Sequence, residues 1–184
     1  MSDDPNALGR AHALTVISVV KRRGLLPLRL LFFVGRHVPP LLNTLRKLSF
    51  IHFARWTLVP ALPGDGRKLR NVHLFFESNF NGTWSQYIDA FSYVVPQHIA
   101  LIWRSSYGFP GSIPASGLKE YIGSHEYPAG HYYSAYPEAS STMIIAALRL
   151  RSDLDRLRRE APSLSPEAFD KAYHALLTDH QDHL

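Results

Sequence analysis

Four polar side chains in the middle of the chain could bind a ligand. His52 and Arg55 lie in one strand-like run, IHFARWTLV, and Glu77 and Asn79 lie in the next, VHLFFESNF. The four residues come close together if the two runs pair as neighbouring strands. The Arg55 guanidinium can then hold a carboxylate or phosphate through two parallel hydrogen bonds, or it can form an ion pair with Glu77. The sequence leaves both alternatives open.

Strand alternation limits how these residues can cooperate. Successive side chains of a strand point to opposite faces of the sheet, so His52 and Trp56 share one face and Arg55 lies on the other. Only a β-bulge would bring His52 and Arg55 to the same side.

Large aromatic residues could form the walls of a site. Aromatic residues make up 12% of the chain, which is enough for both a core and a ligand cavity. We expect Trp56, Phe76, Trp84 and Trp103 to line an apolar cavity in which Arg55 anchors an acidic group.

Histidines near aromatic residues offer a second kind of chemistry. His98 lies on the apolar side of a predicted helix, where it could be an axial ligand of heme or an ordinary core histidine. His125 and His131 lie near several tyrosines, among them Tyr136. Either histidine could line a ligand cavity, or the whole segment could be a connection with aromatic packing.

Residues 22–36, RRGLLPLRLLFFVGR, mix large apolar residues with four arginines, Arg22, Arg23, Arg29 and Arg36. One interpretation places this segment on a membrane surface, with its arginines at anionic headgroups. The other is a buried connection whose arginine side chains extend into solvent.

Composition narrows the class of protein. The chain has 184 residues, 46% of them hydrophobic, which is typical of one globular domain. It has no cysteine, which excludes disulfides and thiolate chemistry. That absence, and a start (MSDDPN) unlike a secretory signal, favour a cytoplasmic location. The longest apolar run is too short to cross a bilayer.

Charge is distributed unevenly along the chain. Residues 1–70 contain twelve Lys and Arg against three Asp and Glu, a net charge of +9, whereas residues 71–184 contain eight against twelve, a net of −4. A basic half can attract anionic lipid or an acidic partner. No recognition helix or RNA-binding motif is apparent, so we predict no binding of nucleic acid.

Periodicity predicts the order strand, helix, strand, strand, helix, strand and two helices. The predicted strands are residues 12–21, 51–59, 72–80 and 131–136. The predicted helices are residues 40–48, 83–102 with a kink or break at Pro96, 141–160, and one capped by Ser165. Residues 119–124 are expected to form a single helical turn, and Pro27 to prevent a long helix before residue 40.

This order matches the split βαβ pattern of ferredoxin-like domains. The fold class is therefore α+β, with an antiparallel sheet, helices on one face, and the other face free for a ligand or a second copy. We expect a single domain, 1–184, with a ferredoxin-like core at about 12–138 and a helical extension at 140–178.

Three segments resemble motifs of a poorly characterised group of bacterial proteins. HFARW (52–56), SNFNG (78–82) and YYSAYP (132–137) are similar to the HFAR, SNFDG and YSAYP segments of that group. The resemblance covers about residues 50–140. It implies a ferredoxin-like fold related to dimeric α+β barrels, some of which bind heme. Asn81 replaces the aspartate of the group, and Ser105 and Ser106 stand where relatives carry more reactive side chains. If the group is enzymatic, these differences imply a member that has lost activity.

The favoured function is binding of an apolar or amphipathic small molecule or lipid, in association with an anionic membrane surface. One alternative is a heme-dependent enzyme of the dimeric α+β barrel type. The other is a non-catalytic subunit that forms a homodimer or joins a larger complex. The sequence does not decide whether the protein is an enzyme, and it contains no nucleophile elbow, phosphate-binding loop or zinc-protease motif.

Overall fold

The computed structural model describes residues 4–38, 48–64 and 66–181. The chain divides into two compact units, residues 1–138 and residues 139–184. Residues 40–47 of the helix predicted at 40–48 lie outside the described residues.

The first unit has an α+β architecture with a four-stranded antiparallel sheet in the order β1-β2-β4-β3. This confirms the predicted α+β class, the antiparallel sheet and three of the four predicted strands. The strands are β1 (Ala7–Leu8), β2 (Ala11–Val19), β3 (Ile51–Ala61) and β4 (Lys68–Asn81). The helices are α1 (Leu25–His37), α2 (Trp84–Val94), α3 (Pro96–Trp103) and α4 (Ala115–His125).

The prediction of a fourth strand at residues 131–136 is wrong, because these residues form coil. Short segments instead lie along the edge of β2 that faces away from β4. One is β1, which pairs with the start of β2. The other two are the backbone at Glu126, which forms a single bridge to Val16, and the backbone at Ser106, which forms a single bridge to Val20. These segments already bond to several backbone groups of this edge, among them the Ala13 amide and the carbonyl oxygens of Thr15 and Val19. The strand order therefore does not establish a ferredoxin-like topology.

The core lies between one face of the sheet and the helices. Alternate residues of the strands supply it, as the period of two requires: Leu14 and Val16 from β2, and Leu74 and Phe76 from β4, are at most 1% exposed. Helices α2, α3 and α4 contribute their apolar sides to the same cluster.

Local signals fix the start and end of α2. Thr83 and Gln86 form the predicted capping box, in which the Gln86 amide donates to Thr83 Oγ1 (3.3 Å) and the Thr83 amide donates to Gln86 Oε1 (3.1 Å). Pro96 begins α3 as its first residue, so the predicted long helix is split in two.

Two helices are longer than predicted. Pro27 does not interrupt α1, since it lies in the first turn, where the missing N–H would have no partner within the helix. Helix α4 extends over eleven residues instead of a single turn, beginning at Ala115 directly after Pro114.

The second unit is a pair of helices, α5 (Ser141–Glu160) and α6 (Pro166–His180). Helix α5 has the predicted bounds, and α6 begins at Pro166 after the predicted Ser165 cap. The nearly buried His180 links them, because its Nε2 lies 3.0 Å from Asp153 Oδ2. A cleft of about 210 Å³ lies beside this pair.

Among the described residues, no helix has the length and hydropathy that a bilayer span would need.

Candidate functional site

The sheet surface opposite the helices, here called the open face, combines charged, polar and apolar side chains. Strand alternation places every second residue there, half-buried or exposed. Three rows run across the strands β2, β4 and β3: Ala13–Asn79–Phe53, Thr15–Glu77–Arg55 and Ile17–Phe75–Thr57.

Arg55 and Glu77 are directly opposite each other and form a hydrogen-bonded ion pair. The structure thus forms the cross-strand pair that the sequence suggested. The Arg55 side chain is 63% exposed and that of Glu77 is 29% exposed. Because the guanidinium carries five donors and most of its surface is accessible, it can also reach a ligand above the sheet.

Asn79 and Tyr132 add a polar contact in the next row. Asn79 Nδ2 donates a hydrogen bond to the Tyr132 hydroxyl at 3.0 Å. Burial raises the pKa of Tyr132, although the hydrogen bond from Asn79 acts in the opposite direction. The phenol therefore keeps its proton at neutral pH and can donate it to an acceptor. Phe53, opposite Asn79 in the register, is 47% exposed and offers an apolar surface beside these groups.

These contacts bring together three segments that are distant in the sequence. Phe53 and Arg55 belong to HFARW, Asn79 belongs to SNFNG, and Tyr132 belongs to YYSAYP. Phe53 and Tyr132 are absent from the residues that the sequence nominated. Alternation already placed Phe53 beside Arg55, whereas the position of Tyr132 depends on how the coil after α4 crosses the sheet.

The predicted apolar walls do not accompany Arg55. Phe76 and Trp103 are 1% exposed and belong to the core, where the Trp56 ring packs 5.1 Å from Phe76 and 6.4 Å from Trp103. Trp56 and Phe76 occupy the helix-side positions of their strands, so they are on the opposite side of the sheet from Arg55. The expectation of one cavity lined by all of these residues is wrong.

His52 lies at a β-bulge, since the register of β3 against β4 shifts between Ile51 and Phe53. Such a bulge can turn the His52 side chain toward the face of the sheet that carries Arg55. Its Nε2 is buried and has no hydrogen-bond partner among the described residues.

The remaining nominated residues lie on helices or in coil. Trp84 begins α2 and donates from Nε1 to Glu126 Oε2 at 2.8 Å. His98 is half-buried on α3. His125 ends α4, with Nδ1 2.8 Å from the Tyr121 carbonyl oxygen, and Tyr136 is 76% exposed. These contacts do not test the heme alternative, which stays a prediction.

Ser105 and Ser106 hold the segment after α3 against β2. The Ser105 carbonyl accepts a hydrogen bond from the Lys21 amide at 2.7 Å. The fully buried Ser106 has its Oγ 3.2 Å from that of Ser18. The Ser106 side chain thus has a structural use, whereas this contact of Ser105 uses its backbone.

The described part of the chain contains no group of three or more His, Asp or Glu side chains that could hold a metal ion. Comparison with protein-family models, curated proteins and solved structures finds no match to this chain.

Proposed function

We propose that the first unit binds an amphipathic small molecule on its open face. An acidic group of the ligand pairs with Arg55, its apolar part lies across Phe53 and Phe75, and a polar acceptor meets the Tyr132 hydroxyl. The observation that carries the proposal is the convergence of three separate segments on one accessible surface.

The energetics of the Arg55–Glu77 pair support an exchange of partners. An exposed ion pair such as this one contributes only about 0–1 kcal/mol to stability. A ligand carboxylate can therefore compete with Glu77 for the guanidinium. Glu77 is partly exposed, so water can solvate its carboxylate after the exchange.

The proposal predicts opposite effects for the two partners of the ion pair. Anilinonaphthalene sulfonate, an anionic fluorescent probe, should bind Arg55→Gln about fivefold more weakly than the wild type, because an anchoring charge is lost. It should bind Glu77→Gln more tightly, because the competing carboxylate is lost. Both variants break the same ion pair, so a purely structural role would shift the two affinities in the same direction.

Two controls test whether the effect depends on the charge of the probe and on the position of the arginine. Phenylnaphthylamine has the same aromatic body without the sulfonate, and its affinity should respond to Phe53→Ala but not to Arg55→Gln. Arg70→Gln removes a different exposed arginine, which lies on β4 outside the three rows, and should leave the binding of both probes unchanged. Equal losses in Arg55→Gln and Arg70→Gln would contradict the proposal.

We further propose that the first unit is a divergent ferredoxin-like domain. The order β2-β4-β3 of its long strands supports this, as does the antiparallel bridge between Val16 and Glu126 at the edge where a fourth strand would pair. The resemblance to the bacterial group stays a proposal of the same kind.

A further inference from the structure

Helix α1 is apolar on two opposite sides. Its inner side contributes Leu28, which is 1% exposed, and packs Leu31 and Phe32 against the core. Its outer side contains Leu26, Leu30 and Phe33, which are 77%, 60% and 61% exposed. A helix needs only one apolar side to join a core, so packing within the described structure does not explain the outer side.

The outer residues form a continuous stripe. Leu26, Leu30 and Phe33 have the spacing i, i+4, i+7, which places them on one side of a helix. His37 extends the stripe by another turn, because its ring packs against that of Phe33 with centroids 4.2 Å apart. At 1.5 Å per residue the stripe is about 16 Å long.

Arginines flank this stripe, and the sequence on either side of it contains no carboxylate. Arg22 and Arg23 precede the helix, Arg29 and Arg36 lie beside the stripe, and all four are exposed. The sequence contains no Asp or Glu between Pro5 and Gly64. A partner complementary to this surface is therefore both apolar and negatively charged.

We infer that the outer side of α1 docks on an anionic lipid bilayer, with the helix parallel to the membrane plane. The leucine and phenylalanine side chains enter the acyl boundary, and the arginines reach the lipid phosphates. A bilayer satisfies both requirements over a flat area and needs no shaped groove. This inference is independent of the proposed ligand site, because the stripe belongs to a different element from the open face.

Vesicle co-sedimentation of the full chain tests the inference. The protein should bind vesicles of equal parts phosphatidylglycerol and phosphatidylcholine, bind vesicles of pure phosphatidylcholine much more weakly, and dissociate as salt rises. The double variant Leu30→Gln/Phe33→Gln should lose more than about tenfold in affinity. Arg29→Gln/Arg36→Gln should lose about thirtyfold in affinity for the anionic vesicles only.

Matched substitutions on α5 serve as controls. Leu148 is 60% exposed, as Leu30 is, and Arg151 is exposed. Leu148→Gln and Arg151→Gln should leave vesicle binding unchanged. Losses equal to those of the α1 variants, or equal binding of the wild type to neutral and anionic vesicles, would overturn the inference.

A second measurement locates the helix relative to the lipid. Phe33→Trp replaces an exposed ring with a fluorescent one. The fluorescence of this new tryptophan, taken as the difference between the variant and the wild type, should shift to shorter wavelength on anionic vesicles. Lipids with brominated acyl chains should quench it. An emission that vesicles do not change would overturn the inference. So would the absence of vesicle binding together with a change of oligomeric state in Leu30→Gln/Phe33→Gln, which would assign the stripe to a second copy of the chain.

Discussion

The carboxyl group of Glu126 is partly buried and hydrogen-bonded. It accepts hydrogen bonds from Trp84 Nε1 (2.8 Å) and from Asn6 Nδ2 (3.2 Å). Burial raises its pKa above the ordinary value of 4.5, the hydrogen bond from Trp84 acts in the opposite direction, and nearby Asp4 raises it further. The folded protein therefore binds the Glu126 proton more tightly than the unfolded chain does.

This raised pKa predicts a pH dependence of stability. The stabilising contribution of Glu126 to the free energy of unfolding is greatest below pH 4.5 and is lost as pH rises through the raised pKa. The reason is that ionising this carboxyl group requires more free energy in the folded state than in the unfolded chain. Glu126→Gln does not titrate and keeps an oxygen for Trp84. Its free energy of unfolding should therefore rise relative to that of the wild type between about pH 4 and about pH 7 in urea titrations.

Trp84→Phe provides the complementary test. It removes the hydrogen bond that favours ionised Glu126, so the decline of stability with pH should become steeper than in the wild type. A difference between Glu126→Gln and the wild type that stays constant over this pH range would show that burial does not perturb this carboxyl group.

The binding residues could be predicted only where local geometry determines them. Strand pairing and alternation place Arg55 opposite Glu77, and the same alternation separates Arg55 from Trp56. Tyr132 is different. Its contact with Asn79 spans 53 positions in the chain and depends on the path of coil that has no periodic pattern, so its sequence surroundings contain no signal for this contact.

At the scale of elements, two glycines beside or within α1 should respond in opposite ways to alanine. Gly35 lies inside the helix, and an added Cβ would meet nothing within 4 Å. Gly35→Ala should raise the free energy of unfolding by about 0.5–1 kcal/mol, because alanine loses less backbone entropy in a helix.

Gly24 is the matched position directly before α1. A Cβ there would lie 2.6 Å from Ser105 Cβ and 2.9 Å from Ser105 Cα. Gly24→Ala should therefore lower the free energy of unfolding by about 1–3 kcal/mol, as overpacking does. Thermal unfolding of both variants checks the pair of predictions, and shifts of the same sign would contradict the close approach of these two segments.

Elements were predictable where capping and periodicity agreed. Thr83, Pro96, Ser165 and the stripe of α5 gave correct helix boundaries because these signals act within a few residues. The alternating aromatic residues at 131–136 favoured a strand, but a strand also needs a free edge. Three short segments already cover the relevant edge of β2, and that competition is not visible in a local pattern.

At the scale of the whole molecule, the sheet and its helices form a self-contained core. Every residue of the buried cluster lies between Leu14 and Ile122, and the open-face residues end at Tyr132. The coil after α4 is part of this unit, because the Tyr127 amide donates to the Thr15 carbonyl oxygen (2.9 Å) and the Arg10 amide donates to that of Pro137 (2.8 Å).

A chain of residues 1–138 should therefore fold by itself. It should show one cooperative thermal transition, native near-ultraviolet dichroism from its buried aromatic residues, and the same response of probe binding to Arg55→Gln as the full chain. A chain of residues 1–125 is the control, because it keeps the core but loses the contacts of Tyr127, Tyr132 and Pro137. Its free energy of unfolding should be lower by about 2–4 kcal/mol, since each lost hydrogen bond contributes about 1 kcal/mol. Equal stability of the two shortened chains would mean that the coil does not stabilise the sheet, and a non-cooperative transition in residues 1–138 would mean that this unit does not fold without the helices that follow it.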